Sequence, residues 1–335
     1  MTPLRFSVGY RPPREDAEPF SDIVRDYKDD IEEVYFAWPG DPSGRSPLGE
    51  EEARTLAEEL PGLKRLGVRL NLLLNANCYG GEAMSLELTE RIGARIRSLN
   101  DAAGLDVVTT ASPMVARTVR RAFPSMEVRA SVNMRLGTVK ALEYVSHLFT
   151  GYVVQREFNR DLDRLGELQE WADAHGKRLQ VLANSGCLNF CSAQTFHDNV
   201  VAHEAAIHRR KSTEDTATLC HERYRLPENR PGFLQGSWIR PEDLESHALL
   251  FHGGYKLATR THDNPRMVID AYSRRRHVGS LLDLMEPGFG PLFHPRIIDN
   301  TRFPADWFDR TTRCDKRCHR CSYCASVLER TLVRL

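Results

Sequence analysis

Val68-Arg-Leu-Asn-Leu-Leu-Leu-Asn-Ala-Asn-Cys-Tyr79 is an apolar run ending in a polar tip, and residues 86–103, which follow it, carry apolar side chains three and four apart. The first pattern reads as a strand and the second as an amphipathic helix. The unit recurs along the chain. Strands are expected at 5–9, 33–37, 68–74, 106–109, 127–132, 151–154, 178–182 and 248–251, with helices at 50–65, 86–103, 113–122, 162–174 and 196–210. Eight strand-helix units in roughly 280 residues match a (β/α)8 TIM-barrel-like α/β fold. An open dinucleotide-binding sheet is the rival, but no G-x-G-x-x-G turn follows an early strand.

Residues 1–286 are read as the barrel domain, with an irregular insert at 211–238 that holds Pro227 and Pro231. Residues 287–335 read as a C-terminal extension. With 335 residues, 41% hydrophobic and 27% charged, the chain can bury a full core. Lys plus Arg and Asp plus Glu each total 46, so no global field draws the protein to nucleic acid or to a membrane. The first ten residues lack the basic and apolar regions of a signal peptide, and no run reaches the roughly 18 apolar residues of a membrane span. A cytoplasmic protein is expected, and its 8 cysteines are then reduced thiols suited to metal or redox chemistry.

Four of them crowd into Cys314-Asp-Lys-Arg-Cys318-His-Arg-Cys321-Ser-Tyr-Cys324. Spacings of three, two and two put four thiolates on one tight loop, the ferredoxin run read in reverse, which suits a 4Fe-4S cluster. A zinc site of four cysteines is the alternative, though it usually pairs two knuckles across a longer loop. The first three also fit the C-x3-C-x2-C spacing of radical S-adenosylmethionine enzymes. That motif belongs after the first barrel strand, and Cys324 would close the cluster, so electron transfer or structure is the better expectation.

Catalytic groups of a barrel sit on the loops after its strands. Those loops here carry Asn75, Asn77 and Cys78, then Thr110 and Ser112, Asn133, Gln155-Arg156-Glu157, and Asn184-Ser-Gly-Cys187-Leu-Asn-Phe-Cys191. Polar tips of this kind suggest a lined pocket, although Asn also caps helices. Cys187, Cys191 and Cys220 supply three thiolates for an inner site. Cys78 is the favoured fourth ligand; otherwise the place is open or falls to His197, His203, His221 or a substrate. H-E-x-x-H and G-x-S-x-G are both absent, so neither a zincin nor a nucleophile elbow is supported.

Val153-Val-Gln-Arg156-Glu157-Phe158, Ser237-Trp-Ile-Arg240-Pro241-Glu242-Asp243-Leu244, Gly253-Gly-Tyr-Lys256-Leu-Ala-Thr-Arg260 and Ala271-Tyr272 together resemble the collagenase-like peptidase family, peptidase U-32. Cys187, Cys191 and the stretch from Cys220 to Tyr224 stand where that family keeps its cysteines, and the resemblance runs from about Phe6 to His277. It implies a barrel with a 4Fe-4S cluster, in members that hydroxylate ubiquinone precursors without oxygen or modify RNA bases. It further implies Cys187, Cys191 and Cys220 as cluster ligands, Arg156, Glu157, Lys256 and Arg260 as polar mouth residues, and in some members a related partner subunit. Asn184-Ser-Gly-Cys187 departs from the family's His-Gly-Ala-x-Cys, and the terminal four-cysteine motif is extra to ordinary members.

The expectation is therefore an oxygen-independent iron-sulfur redox enzyme with a terminal electron-transfer cluster. It would act on a small or prenylated aromatic substrate, with an electron-donor protein or related subunit as partner. RNA modification is a second expectation, resting on Arg209-Arg-Lys211, Arg274-Arg-Arg276, Lys316, Arg317 and Arg320. Proteolysis and a non-catalytic partner role are the remaining ones.

Overall fold

The computed structural model describes residues 4–13, 18–44, 48–204, 207 and 219–335. Its elements run β1 (Phe6–Gly9), α1 (Phe20–Asp26), β2 (Ile31–Phe36), α2 (Glu50–Arg65), β3 (Arg69–Leu74), α3 (Leu86–Ala103), β4 (Val107–Thr110), α4 (Pro113–Ala122), β5 (Glu127–Ala130), α5 (Val139–Val145), β6 (Gly151–Val153), α6 (Leu162–Ala174), β7 (Arg178–Leu182) and α7 (Gln194–Ala202). Then follow α8 (Leu219–Arg225), α9 (Pro231–Leu234), α10 (Leu244–Ala248), β8 (Gly254–Leu257), α11 (Pro265–Ser273), α12 (Gly290–Phe293), β9 (Arg296–Ile298), α13 (Trp307–Thr312), α14 (Tyr323–Thr331) and β10 (Leu332–Arg334). The first eight strands are parallel and close into a barrel, β8 pairing back onto β1 with Ser7 beside Lys256.

Local chemistry accounts for the helices. Ser85 accepts from the Leu88 amide to start α3, Gly104 at φ 74° ends it, and Leu88, Ile92, Ile96 and Leu99 face the core. Ser112 caps α4 in the same way, with Pro113 in its first turn.

Two expected elements move. The eighth strand lies at Gly254–Leu257, not at 248–251: Ala248 closes α10, Leu249 and Leu250 are exposed, and only Phe251 is buried. An apolar cluster at a helix end imitates a strand, while the true strand is disguised by two glycines and a lysine. The seventh helix is α7, Gln194–Ala202, and most of 203–210 lies outside the described residues. Residues 211–218 of the expected insert also lie outside them, and the rest of it forms α8 and α9.

One layer of the barrel interior is polar. Glu33 accepts from Ser7 Oγ at 2.6 Å, Asn71 Nδ2 at 2.8 Å and Arg129 Nη1 at 2.7 Å, and Arg129 also donates to Gln180 at 3.0 Å. A cleft of about 950 Å³ opens beneath this layer among Arg5, Glu32, Arg178 and Gly254, at the end of the barrel where the strands begin. Beyond the barrel, β9 and β10 form an antiparallel pair. Among the described residues no helix is long and apolar enough to cross a membrane.

Candidate cysteine site at the barrel mouth

The loop after β6 organises the mouth, because two arginines, the half-buried Arg156 and the buried Arg160, leave it in different directions. Arg156 donates to Gln194 Oε1 at the start of α7, Gln194 Nε2 donates to Asp198 at 2.6 Å, and Asn77 Nδ2 reaches the same carboxylate at 3.1 Å. This chain ties the β6 loop to α7 and to the β3 loop that carries Cys78. Burial lowers the Arg156 pKa, but the charges of Cys187, Glu157, Asp198 and Cys191 outweigh it and hold the residue above its ordinary value. Glu157 is itself buried and accepts from Arg135 at 3.3 Å.

Cys220 comes from α8, far along the chain, yet it stands within electrostatic reach of the same loop. Burial, then the Cys187 charge, pushes its thiol up to about 11, with Cys191 contributing. Its sulfur lies 3.7 Å from His221 Nδ1. Cys187 and Cys191 thus lie within electrostatic reach of Cys220. Cys78 sits beyond Asn77 and accepts from the Gly80 amide at 3.4 Å, but it is not among the main influences on Cys220. His203 approaches the Cys78 side, its Cε1 lying 3.8 Å from where a Gly80 Cβ would stand.

The second arginine, Arg160, turns toward the tail. Its guanidinium lies 4.1 Å from the Trp238 ring and 5.0 Å from that of Trp307, donates to Trp238 O at 2.7 Å and to Leu234 O at 3.3 Å, and leaves Nη2 buried without a hydrogen-bond partner. Burial brings its pKa down to about 10, opposed by the charges of Asp243, Cys324 and Cys314. Cys324 is pushed up to about 11 by burial; the Arg160 charge opposes this, while Cys318, Cys314 and Cys321 add to it. The four tail thiols are therefore mutual neighbours over a buried cation. Lys316 bridges the two sites: its amide donates to Cys314 Sγ at 3.3 Å, and its Nζ donates to Glu157 O at 3.3 Å and lies 5.5 Å from the Phe158 ring and 5.9 Å from that of Phe190. Lys316 and Phe190 both hold the left-handed backbone, at φ 58° and 49°, which non-glycine residues adopt sparingly and often at functional loops.

Among the described residues no group of three or more His, Cys, Asp or Glu side chains stands in metal-coordinating geometry, so each gathering is one of electrostatic neighbours. The donor chemistry of either set suits a soft-ligand metal group, and amide donation to Cys78 and Cys314 sulfur is the kind of bond that supports bound thiolates. Lys256 lies inside the barrel under Tyr35, while Arg260 Nη1 donates to Ser43 at 2.9 Å. The asparagines prove to be staples. Asn184 exchanges bonds with the Ala258 amide and carbonyl at 2.6 and 3.1 Å, and Asn133 donates to Asn75 O at 3.0 Å. Arg160, Gln194 and Asp198 carry no signal in the sequence, where each reads as an ordinary surface residue.

The fold and its loops define a (β/α)8-barrel protein with two cysteine-lined stations joined at the β6 loop. No family model matches the chain. It is 25% identical, over 314 residues covering 92% of this chain and 91% of the other, to an uncharacterized protease, MJ1657, of Methanocaldococcus jannaschii. The structure of the U32 peptidase Mk0906 superposes with a TM-score of 0.56 at 16% identity, covering 76% of this chain and 93% of that one. The structural likeness by itself shows the barrel fold. In sequence the chain is similar to the Methanocaldococcus jannaschii relative over nearly the whole length of both proteins.

Proposed function

We propose that this chain is an iron-sulfur redox enzyme that works without oxygen on a small anionic or prenylated aromatic substrate. The inner site would be held by Cys187, Cys191 and Cys220, with Cys78 as the fourth ligand, and a second group by Cys314, Cys318, Cys321 and Cys324. The observation that carries this reading is the convergence of thiols from the β7 loop and from α8 beside half-buried Arg156. A bound cluster supplies one-electron chemistry at the mouth. Arg156 neutralises thiolate charge, the Gln194–Asp198–Asn77 chain fixes the loops, and Arg260 adds a positive field that favours an anionic substrate. At the tail, Arg160 offsets the thiolate charge from below, a position suited to receiving electrons from a donor protein.

The relatives' names carry proteolysis as a second reading, which predicts peptide hydrolysis unaffected by iron removal. RNA modification loses ground because Arg274 is paired with Asp270 at 2.7 Å and Arg275 stands 3.9 Å from Asp30; Arg209-Arg-Lys211 lies outside the described residues.

Anaerobic reconstitution followed by iron and sulfide analysis tests the proposal. About eight irons per chain are expected, falling by half when Cys314, Cys318, Cys321 and Cys324 are all changed to serine. Zinc released from the tail would leave the inner cluster alone, and a folded, active, metal-free protein would overturn the reading.

A further inference from the structure

We propose that the cleft at the end of the barrel where the strands begin is a binding site for a small uncharged amide, separate from the cysteine stations at the mouth. Its volume of about 950 Å³ falls in the range of ligand pockets. Gln180 of β7 lines it and is 7% exposed. The Gln180 Oε1 accepts from Arg129 Nη1 at 3.0 Å, and a guanidinium can only donate, so the amide is held in one orientation. Nε2 is the end left over, and it has no acceptor among the described residues. Gly254, the register partner of Gln180 on β8, keeps that end uncovered: a Cβ there would stand 3.0 Å from Gln180 Cγ and 3.2 Å from Nε2.

A second buried amide lines the same cleft. Gln169 of α6 is 8% exposed, and its Nε2 donates at 2.9 Å to the Asp173 carboxylate, which can only accept. That leaves Gln169 Oε1 buried without a partner. One wall thus offers a donor and another an acceptor, the complement of the C=O and N–H of an amide. Leu4, Ala248 and Leu249 add apolar surface. Leu249 is 65% exposed, and an apolar substituent laid on it would take that surface out of water.

The charges around the cleft select against ions. Arg69, Arg129 and Arg178 are matched by Glu32, Glu33 and Glu127: Arg129 lies 2.7 Å from both Glu33 and Glu127, Arg69 2.7 Å from Glu127, and Arg178 3.3 Å from Glu32. On the walls, Arg5 and Lys177 stand against Asp173 and Glu245, and Arg275 faces Asp30 at 3.9 Å. Neither sign is in excess, so a carboxylate or an ammonium entering here would be desolvated with no net charge to meet it.

The test uses the full chain, and because the cleft lies at the other end of the barrel from the cysteines, its outcome is independent of the iron-sulfur proposal. Benzamide is titrated into the protein and followed by saturation-transfer NMR, with benzoate as its charged counterpart of the same shape. Benzamide should bind with a dissociation constant of about 1 mM or below, and benzoate at least about tenfold more weakly. Gly254→Ala sets a methyl against the Gln180 amide and should weaken benzamide by about five- to tenfold, the equivalent of one hydrogen bond. Leu249→Asp, at an exposed position, should weaken it too, and circular dichroism checks that both variants are folded. Absence of saturable benzamide binding, equal binding of benzoate, or an affinity unchanged in both folded variants would overturn the proposal.

Discussion

Glu33 and Arg129 meet at 2.7 Å inside the barrel, at 1% and 3% side-chain exposure, and a pair so buried is costly to break from one side only. Arg129→Met strands a carboxylate whose Oε2 already lacks a hydrogen-bond partner; a loss of about 3–5 kcal/mol is expected from urea unfolding, partly recovered by adding Glu33→Gln. The same pair sets an acid limit. Burial pushes the Glu33 carboxyl up, but the Arg129 charge and the bonds from Arg129, Ser7 and Asn71 outweigh it and bring it to about 2 from an ordinary 4.5. Its contribution is therefore complete above the unfolded value and is lost as pH falls from about 4.5 toward about 2, so Glu33→Gln should flatten the stability profile across that window. Nothing local announces this pair. Glu33 and Arg129 sit within strand patterns, and only barrel closure brings β2 opposite β5. Arg160 is hidden likewise, since its partners Trp238 and Trp307 belong to distant segments.

At the level of elements, legibility follows locality. Residues 50–65, 86–103, 113–122 and 162–174 are readable as helices because spacing and cap chemistry act within one turn, and the structure bounds them identically. Strand β8 escapes such a reading because Gly253 and Gly254 serve packing: a Cβ on Gly253 would stand 2.2 Å from Phe251 Cζ and 2.7 Å from Leu179 O. Helix α13 makes the same point about context. Its Trp307 stacks on Trp238 at 5.7 Å and on Tyr323 at 6.2 Å, so one side chain clamps the tail to the barrel. Trp307→Ala should cost about 3–5 kcal/mol and free the tail first. Limited proteolysis should then cut between 308 and 324 while the remaining barrel keeps its circular dichroism; an unchanged cleavage pattern would remove the clamp.

For the molecule as a whole, the tail is both a carrier of four thiols and part of the fold. Val327 and Leu328 of α14 are buried at 4% and 5% exposure, and β10 pairs with β9 through Leu332 and Ile298. Truncation before Cys314 thus removes α14, leaves β9 without its partner and uncovers the Trp307 face that Tyr323 stacks against. Each buried apolar side chain contributes about 1.5–3 kcal/mol, so a loss of about 5 kcal/mol or more is expected for the truncated chain. Exchange of Cys314, Cys318, Cys321 and Cys324 for serine touches only the thiols, the first three of which are exposed, and in the metal-free protein should cost under about 1 kcal/mol. Thermal unfolding of the two metal-free variants side by side separates these contributions. If the four-serine chain melts as low as the truncated one, the cysteines hold the fold themselves and the tail station is structural; if it melts with the unaltered chain, the thiols stand apart from the scaffold and are available for redox work.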